Sequence, residues 1–250
     1  MPNPPPSYAA VAGARGGLAI DLSDPRVVAF ADQFGVDVSV IDDGLRADFL
    51  EATGPSAFAA VQAIYVDDVW PRVPAVLGAV LGPVDWPAAE ATDAELWPLL
   101  EEFMRQVARL DALDPVTTEL VRLRGARQHD CRVCRSRRSV AAIEQGADEA
   151  TFDAVDRYAH SNLPDRVKAA LALTDATIWT PYAVPGDVVE AARRHLTDDQ
   201  VAEVVLDVAR NAANKIAVAL GADAATVTDG VELFTTDADG NLTVVAPEPR

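Results

Sequence analysis

Cysteine, histidine and positive charge are all scarce in this chain. Its 250 residues include two cysteines and three histidines, and 21 lysines and arginines stand against 39 acids, for a formal charge of −18. Two cysteines are too few for the disulfide framework of a small secreted domain. A structural zinc site needs four ligands, and beyond the two thiols only His129, His160 and His195 remain, none at the spacing of a second ligand pair. No metal and no cofactor are therefore expected. The acidic balance argues against nucleic acid or an anionic membrane as partner, because affinity for phosphate comes from a surplus of lysine and arginine. No apolar run approaches the roughly 20 residues that cross a bilayer. The start, MPNPPPSYAAVAGARGG, lacks the basic and then apolar stretches of a secretory leader, so the expected compartment is the cytoplasm. Short tandem repeats are absent too.

What is present is a half-apolar composition, 50% hydrophobic residues, enough to bury a substantial core. Residues 1–17 hold four prolines and three glycines and read as a flexible arm. From Asp24 onward, apolar residues at three- and four-residue spacing predict helices near 25–34, 44–52, 56–68, 72–81, 94–110, 115–128, 132–145, 148–159, 164–178, 186–195 and 198–220. Thr92-Asp93, Asp114-Pro115 and Thr197-Asp198 offer side-chain oxygens to helix starts, and Gly146 and Gly221 supply left-handed stops. The alternation around Asp239-Gly240 predicts a β-hairpin. The expected fold class is all-α, a helical bundle with a short C-terminal β-hairpin. Its expected organisation is an N-terminal helical extension, 18–93, packed on a core of residues 94–225, with 82–92 as a hinge and 226–250 as hairpin and tail. Trp70 and Trp86 in the extension read as packing.

The two cysteines stand three apart, at Cys131 and Cys134. On the first turn of a helix that spacing puts both thiols on one face within disulfide reach, and the free amides and positive dipole end there favour a thiolate. Residues 119–138 also carry seven arginines, Arg132, Arg135 and Arg138 among them, against Glu119 and Asp130, a net +5. Such a field lowers a thiol pKa and attracts anions; the plainer reading is that these arginines neutralise acids elsewhere in the chain through ion pairs. A redox couple is preferred over a silent buried pair or a metal site.

Glu119, eleven residues, Cys131-Arg132-Val133-Cys134, a helix ending at Gly146-Ala147-Asp148, and Asn214-Lys215 in RNAANKIAVALGAD together resemble the alkylhydroperoxidase D-like and carboxymuconolactone decarboxylase superfamily over roughly residues 94 to 225. The resemblance implies an all-α fold assembled as a trimer or a multiple of it. In the peroxidase branch it makes Cys134 the attacking thiol, Cys131 the resolving thiol and Glu119 part of a proton relay. Electrons then come from a dithiol donor such as a lipoylated protein or thioredoxin. The sequence departs from that branch where its two motif histidines stand: Val133 and Arg138 occupy those places, and neither is a general base near neutral pH. Arg138 would then hold the thiolate by charge, with Arg135 and Arg132 beside it, and His129 is a candidate replacement in the proton relay.

The expected function is thiol-dependent peroxide reduction or thiol–disulfide exchange in antioxidant defence. The alternatives are a non-catalytic redox-sensing or anion-binding oligomer, and a carboxymuconolactone decarboxylase-like enzyme. Asn211 and Asn214 lie on one face of an otherwise apolar helix. Hydrogen bonding in the core or at an interface is the preferred reading for them, with lining of the thiol cavity as the alternative.

Overall fold

The computed structural model describes residues 4–84, 86 and 88–245. The helices are Pro6–Gly17 (α1), Pro25–Val36 (α2), Asp43–Thr53 (α3), Ala57–Val69 (α4), Arg72–Leu81 (α5), Leu96–Ala108 (α6), Pro115–Gln128 (α7), Arg132–Arg135 (α8), Val140–Glu144 (α9), Glu149–Asp153 (α10), Asp165–Trp179 (α11), Gly186–His195 (α12), Asp198–Ala212 (α13) and Asn214–Ala219 (α14). Three short strands, Arg137–Ser139 (β1), Glu232–Thr236 (β2) and Leu242–Val245 (β3), form one mixed sheet in the order β1-β2-β3. Among the described residues no helix is long and apolar enough to cross a membrane.

Capping decides most boundaries. Asp24, Asp42, Asp114 and Asp148 each accept a backbone amide of the turn that follows, and Thr197 and Gln200 form a reciprocal capping box at the start of α13. Gly146 and Gly221 have φ of +93° and +70° and stop their helices in the left-handed region, where a side chain is disfavoured. Thr92 does not start a helix: its hydroxyl accepts the Ala94 amide in a turn, and α6 begins later, at Leu96.

α13 is the central element. Ten of its residues are buried, from Val201 to Ala212, and α5, α6, α7 and α11 pack around it. One apolar cluster joins Val11, Phe30, Phe49 and Tyr65 from the first third of the chain to Phe103, Val121, Leu173 and Val205 from the rest. A second, smaller cluster lies between α7, α9, α10 and α11 around Leu123, Phe152 and Leu171.

The expected flexible arm is corrected by α1; only its residues 1–3 lie outside the described ones. Pro6 suits the first helical position, whose amide has no acceptor. Tyr8, Val11 and Ala14 are buried, the Tyr8 hydroxyl donates to the Trp70 carbonyl at 2.6 Å, and the Trp70 indole returns a bond to the Tyr8 carbonyl at 3.0 Å. The glycines serve close approach: a Cβ on Gly13 or Gly17 would collide with the backbone of Glu90 or Thr92. The connector 82–92 is thereby tied to α1, and the Thr92 amide donates to the Gly13 carbonyl at 3.1 Å.

The expected helix over 132–145 is broken into α8, β1 and α9, because β1 pairs in parallel with β2, placing Arg137 opposite Glu232 and Ser139 opposite Phe234. The expected hairpin is present as β2 and β3, antiparallel, with Phe234 opposite Val244; residues 246–250 of the expected tail lie outside the described ones. The expected last helix, 198–220, is likewise two, α13 and α14, meeting at Ala213.

Gly17→Ala should lower stability by about 1–3 kcal/mol, the usual cost of forcing atoms into a packed contact. Urea unfolding measures this, and an unchanged midpoint would mean that α1 is not docked on the connector.

Candidate active site

α7 ends at Gln128, and Asp130, with φ of +49°, turns the chain sharply into α8. Aspartate tolerates this left-handed conformation better than most residues. The turn places Cys131 at the cap of α8 and Cys134 within it, with Cα atoms 5.3 Å apart and the sulfurs joined as a disulfide. The pair packs against Ala126, Val133 and Val218. Cys131 is fully buried, whereas Cys134 lines a cleft of about 350 Å³.

Four arginines, Arg105, Arg122, Arg137 and Arg210, face this cleft with one acid, Glu101. Met104, Val133, Phe234 and Leu242 supply its apolar wall. The hairpin closes one side: Arg109 donates to the Asp239 carbonyl at 2.8 Å, and Gly240, φ +84°, sits so close to α6 that a methyl there would collide with the Arg105 carbonyl oxygen.

Behind Cys134 lies a buried ion pair. Both oxygens of Glu119 accept from Arg122, at 2.7 Å each, and Oε1 also accepts the Ser139 amide. Arg122 also donates to the carbonyls of Cys134 and Arg137, each at 2.8 Å. Glu119 therefore positions Arg122, which in turn anchors the reactive turn.

The other expected site residues take different places. The amides of Arg132 and Val133 donate to the side chain and the carbonyl of Asp223, each at 2.9 Å, so the start of α8 is already capped by an anion. Arg132 itself pairs with Asp223 at 2.7 Å. Arg135 pairs with Asp130. Arg138 is buried, its guanidinium on Glu149 at 3.1 Å, on the carbonyls of Arg135 and Arg137, and over the ring of Phe152. Arg138, expected to hold the thiolate, lines no part of the Cys134 cleft: its recorded hydrogen bonds go to Glu149 on α10 and to its own turn. His129 does not line it either. It opens into a separate cavity beside Asp68, Arg72 and Lys215, and burial with those two cations pushes its pKa down to about 3.

Asn211 and Asn214 do line the cleft, and among the described residues of the single chain neither side chain has a hydrogen-bond partner. Arg210 was missed by sequence reasoning, since nothing marks one arginine in an apolar helix. Its nearest acid is Asp207, 3.7 Å away. Asp207 is buried with Oδ2 unpartnered among the described residues, and burial, reinforced by the nearby charge of Glu203, raises its pKa to about 7.

Comparison with known proteins adds relatives but no described activity. Over 225 residues, 86% of this chain and 78% of theirs, the sequence is 44% identical to two Mycobacterium tuberculosis proteins, the uncharacterized protein Rv2313c of strain H37Rv and the uncharacterized protein MT2376 of strain CDC 1551. The chain belongs to the family of these mycobacterial proteins. No family model matches the sequence, and no solved structure matches it.

In this family member two of the buried titratable groups, Asp207 and His129, act oppositely on stability. Asp207 holds its proton up to about 7 against an ordinary 3.8, so between those values the native state binds more protons than the unfolded chain and stability falls as pH rises. His129, at about 3 against 6.5, makes the unfolded chain the better proton binder, and stability falls as pH drops. Asp207→Asn leaves only the second effect. Its melting temperature should rise from about pH 4.5 to 6.5 by around 5 °C more than the parent's. Parallel curves would show that Asp207 does not titrate in this range.

Proposed function

We propose that the chain is a cysteine-based hydroperoxide reductase of the alkylhydroperoxidase D-like type, with Cys131 and Cys134 as its couple. The observation that supports this reading is the asymmetry of the pair: Cys134 lines the cleft while Cys131 is fully buried. That is the arrangement an attacking and a resolving thiol require.

In the dithiol form, the Cys134 thiolate attacks the outer peroxide oxygen, the O–O bond breaks, and the alkoxide leaves and takes a proton to become an alcohol. The sulfenic acid left on Cys134 is then attacked by Cys131; the S–O bond breaks, hydroxide leaves and is protonated to water, and the disulfide forms. Two thiols and one hydroperoxide thus give one disulfide, one alcohol and one water. A dithiol donor, a lipoylated protein or thioredoxin, returns two electrons and two protons by exchange at Cys134, the sulfur it can reach. Assembly as a trimer or a multiple of it belongs to the same proposal. Proton delivery in this scheme falls to water in the cleft, since Glu119 is engaged by Arg122 and His129 faces another cavity.

A second reading is favoured by one observation: the start of α8 is capped by Asp223, so its amides are not free to stabilise a thiolate. On that reading the pair is a sensor that closes once. Counting peroxide consumed per subunit with excess dithiol separates repeated turnover from a single event.

Cys134→Ser should abolish peroxide consumption. Cys131→Ser should consume one equivalent, stop at a sulfenic acid that dimedone traps, and lower steady-state turnover by at least about 100-fold. An unchanged rate in Cys134→Ser would sink the assignment.

A further inference from the structure

The cleft beside Cys134 is more elaborate than hydrogen peroxide needs. A neutral two-oxygen substrate calls for no cation, yet four guanidinium groups face this space against one carboxylate. Three of the four are satisfied within the fold: Arg105 by Glu102 at 3.0 Å, Arg122 by Glu119 at 2.7 Å and Arg137 by Glu232 at 3.1 Å. Arg210 is held less firmly. Its side chain is 17% exposed, and its ion pair with Asp207, at 3.7 Å, is longer than the other three and beyond hydrogen-bond range.

No guanidinium nitrogen of Arg210 is both buried and unpartnered among the described residues, so its unbonded donors are reachable from the cleft, and an anion that meets them gains charge-assisted hydrogen bonds. The side chains of Asn211 and Asn214 face the same cleft, also without hydrogen-bond partners among the described residues, so their amide donors are available alongside those of Arg210. A planar fork of N–H donors matches a carboxylate with two parallel bonds. Opposite lie Met104, Val133, Phe234 and Leu242, which offer no hydrogen bonds from their side chains and fit hydrocarbon. The volume, about 350 Å³, falls within the roughly 300–1,000 Å³ of sites for small organic ligands.

We infer that the cleft takes an organic hydroperoxide bearing a carboxylate, with the carboxylate on Arg210, Asn211 and Asn214, the hydrocarbon on the apolar wall and the peroxide at Cys134. This substrate class rests on the peroxidase reading, and the chemistry is the one written above: the hydroperoxide is reduced to the corresponding hydroxy acid while the two thiols are oxidised to the disulfide. Arg210 is then a specificity-determining residue.

Two measurements test it. Octanoate and methyl octanoate are titrated by calorimetry into the disulfide form of the full chain, and into Arg210→Gln and Arg210→Lys after their melting temperatures confirm folding. Octanoate should bind one per subunit and at least about 10-fold more tightly than the ester, with that preference lost in Arg210→Gln and partly kept in Arg210→Lys. In the second measurement, the prereduced parent is mixed with linoleic acid hydroperoxide or its methyl ester and thiol loss is followed. The acid should react at least about 10-fold faster. Equal binding of octanoate and its ester, or equal oxidation by both hydroperoxides, would overturn the carboxylate assignment while leaving the peroxidase reading intact. Selective octanoate binding without oxidation by either hydroperoxide would overturn the peroxidase reading and the substrate class with it, leaving an anion seat at Arg210.

Discussion

Arg122 is the side chain on which the reactive turn depends. Its guanidinium joins four pieces of chain: Glu119 on its own helix, the carbonyl of Cys134 on α8, the carbonyl of Arg137 at β1, and the ring of Phe234 on β2, 5.2 Å from its centre. Withdrawing such a charge from water is expensive, and only a full set of partners offsets it. Here four of its five N–H donors are engaged, and Glu119, 1% exposed at its side chain, accepts three hydrogen bonds. Removing one partner would strand the other as a buried charge, a loss of about 3–5 kcal/mol. The pair thus couples the position of Cys134 to the integrity of the core between α7 and the sheet.

The remaining positive charge around the cysteines is neutralised in the same manner, at lower stakes. Arg124 meets Asp175, Arg127 meets Asp156, Arg132 meets Asp223, Arg135 meets Asp130, Arg137 meets Glu232 and Arg138 meets Glu149. The net +5 of residues 119–138 is therefore a property of the sequence interval and not of the surface it forms. Several of these pairs are half in solvent and contribute little each, but they tie α7, α8 and β1 to α10, α11 and the hairpin. The cation with spare capacity, Arg210, comes from α13, seventy-odd residues away from the cysteines in sequence.

Local signals were legible in the sequence wherever one residue decides the backbone. The starts at Asp114-Pro115 and Thr197, the stops at Gly146 and Gly221 and the hairpin at Asp239-Gly240 all follow from caps and φ alone. What failed depended on distant partners. Gly13 and Gly17 look like flexibility in isolation and prove to be contact points for residues 90–92. Arg138 looks available beside a cysteine, yet its guanidinium points to Glu149, because β1 is drawn into a strand by residues 232–234. His129 is two residues from Cys131 and faces the other way. The cysteine pair was legible because its spacing is local, whereas Glu119 proves to be the ion-pair partner of Arg122 and lines no part of the cleft; Arg210, Asn211 and Asn214 are neighbours in sequence, and the packing of α13 against α7 is what brings them to the cysteine turn.

The parallel pairing of β1 with β2 has a consequence for the order of events in the life of the chain. Arg137 and Glu232, which face each other across that ladder, are separated by 95 residues. A ribosome therefore releases both cysteines long before it has made Phe234 and Leu242, and helices form and dock as they emerge. Phe234 and Leu242 follow Met104, Val133 and both cysteines, so until they are made the cleft beside Cys134 lacks part of its apolar wall.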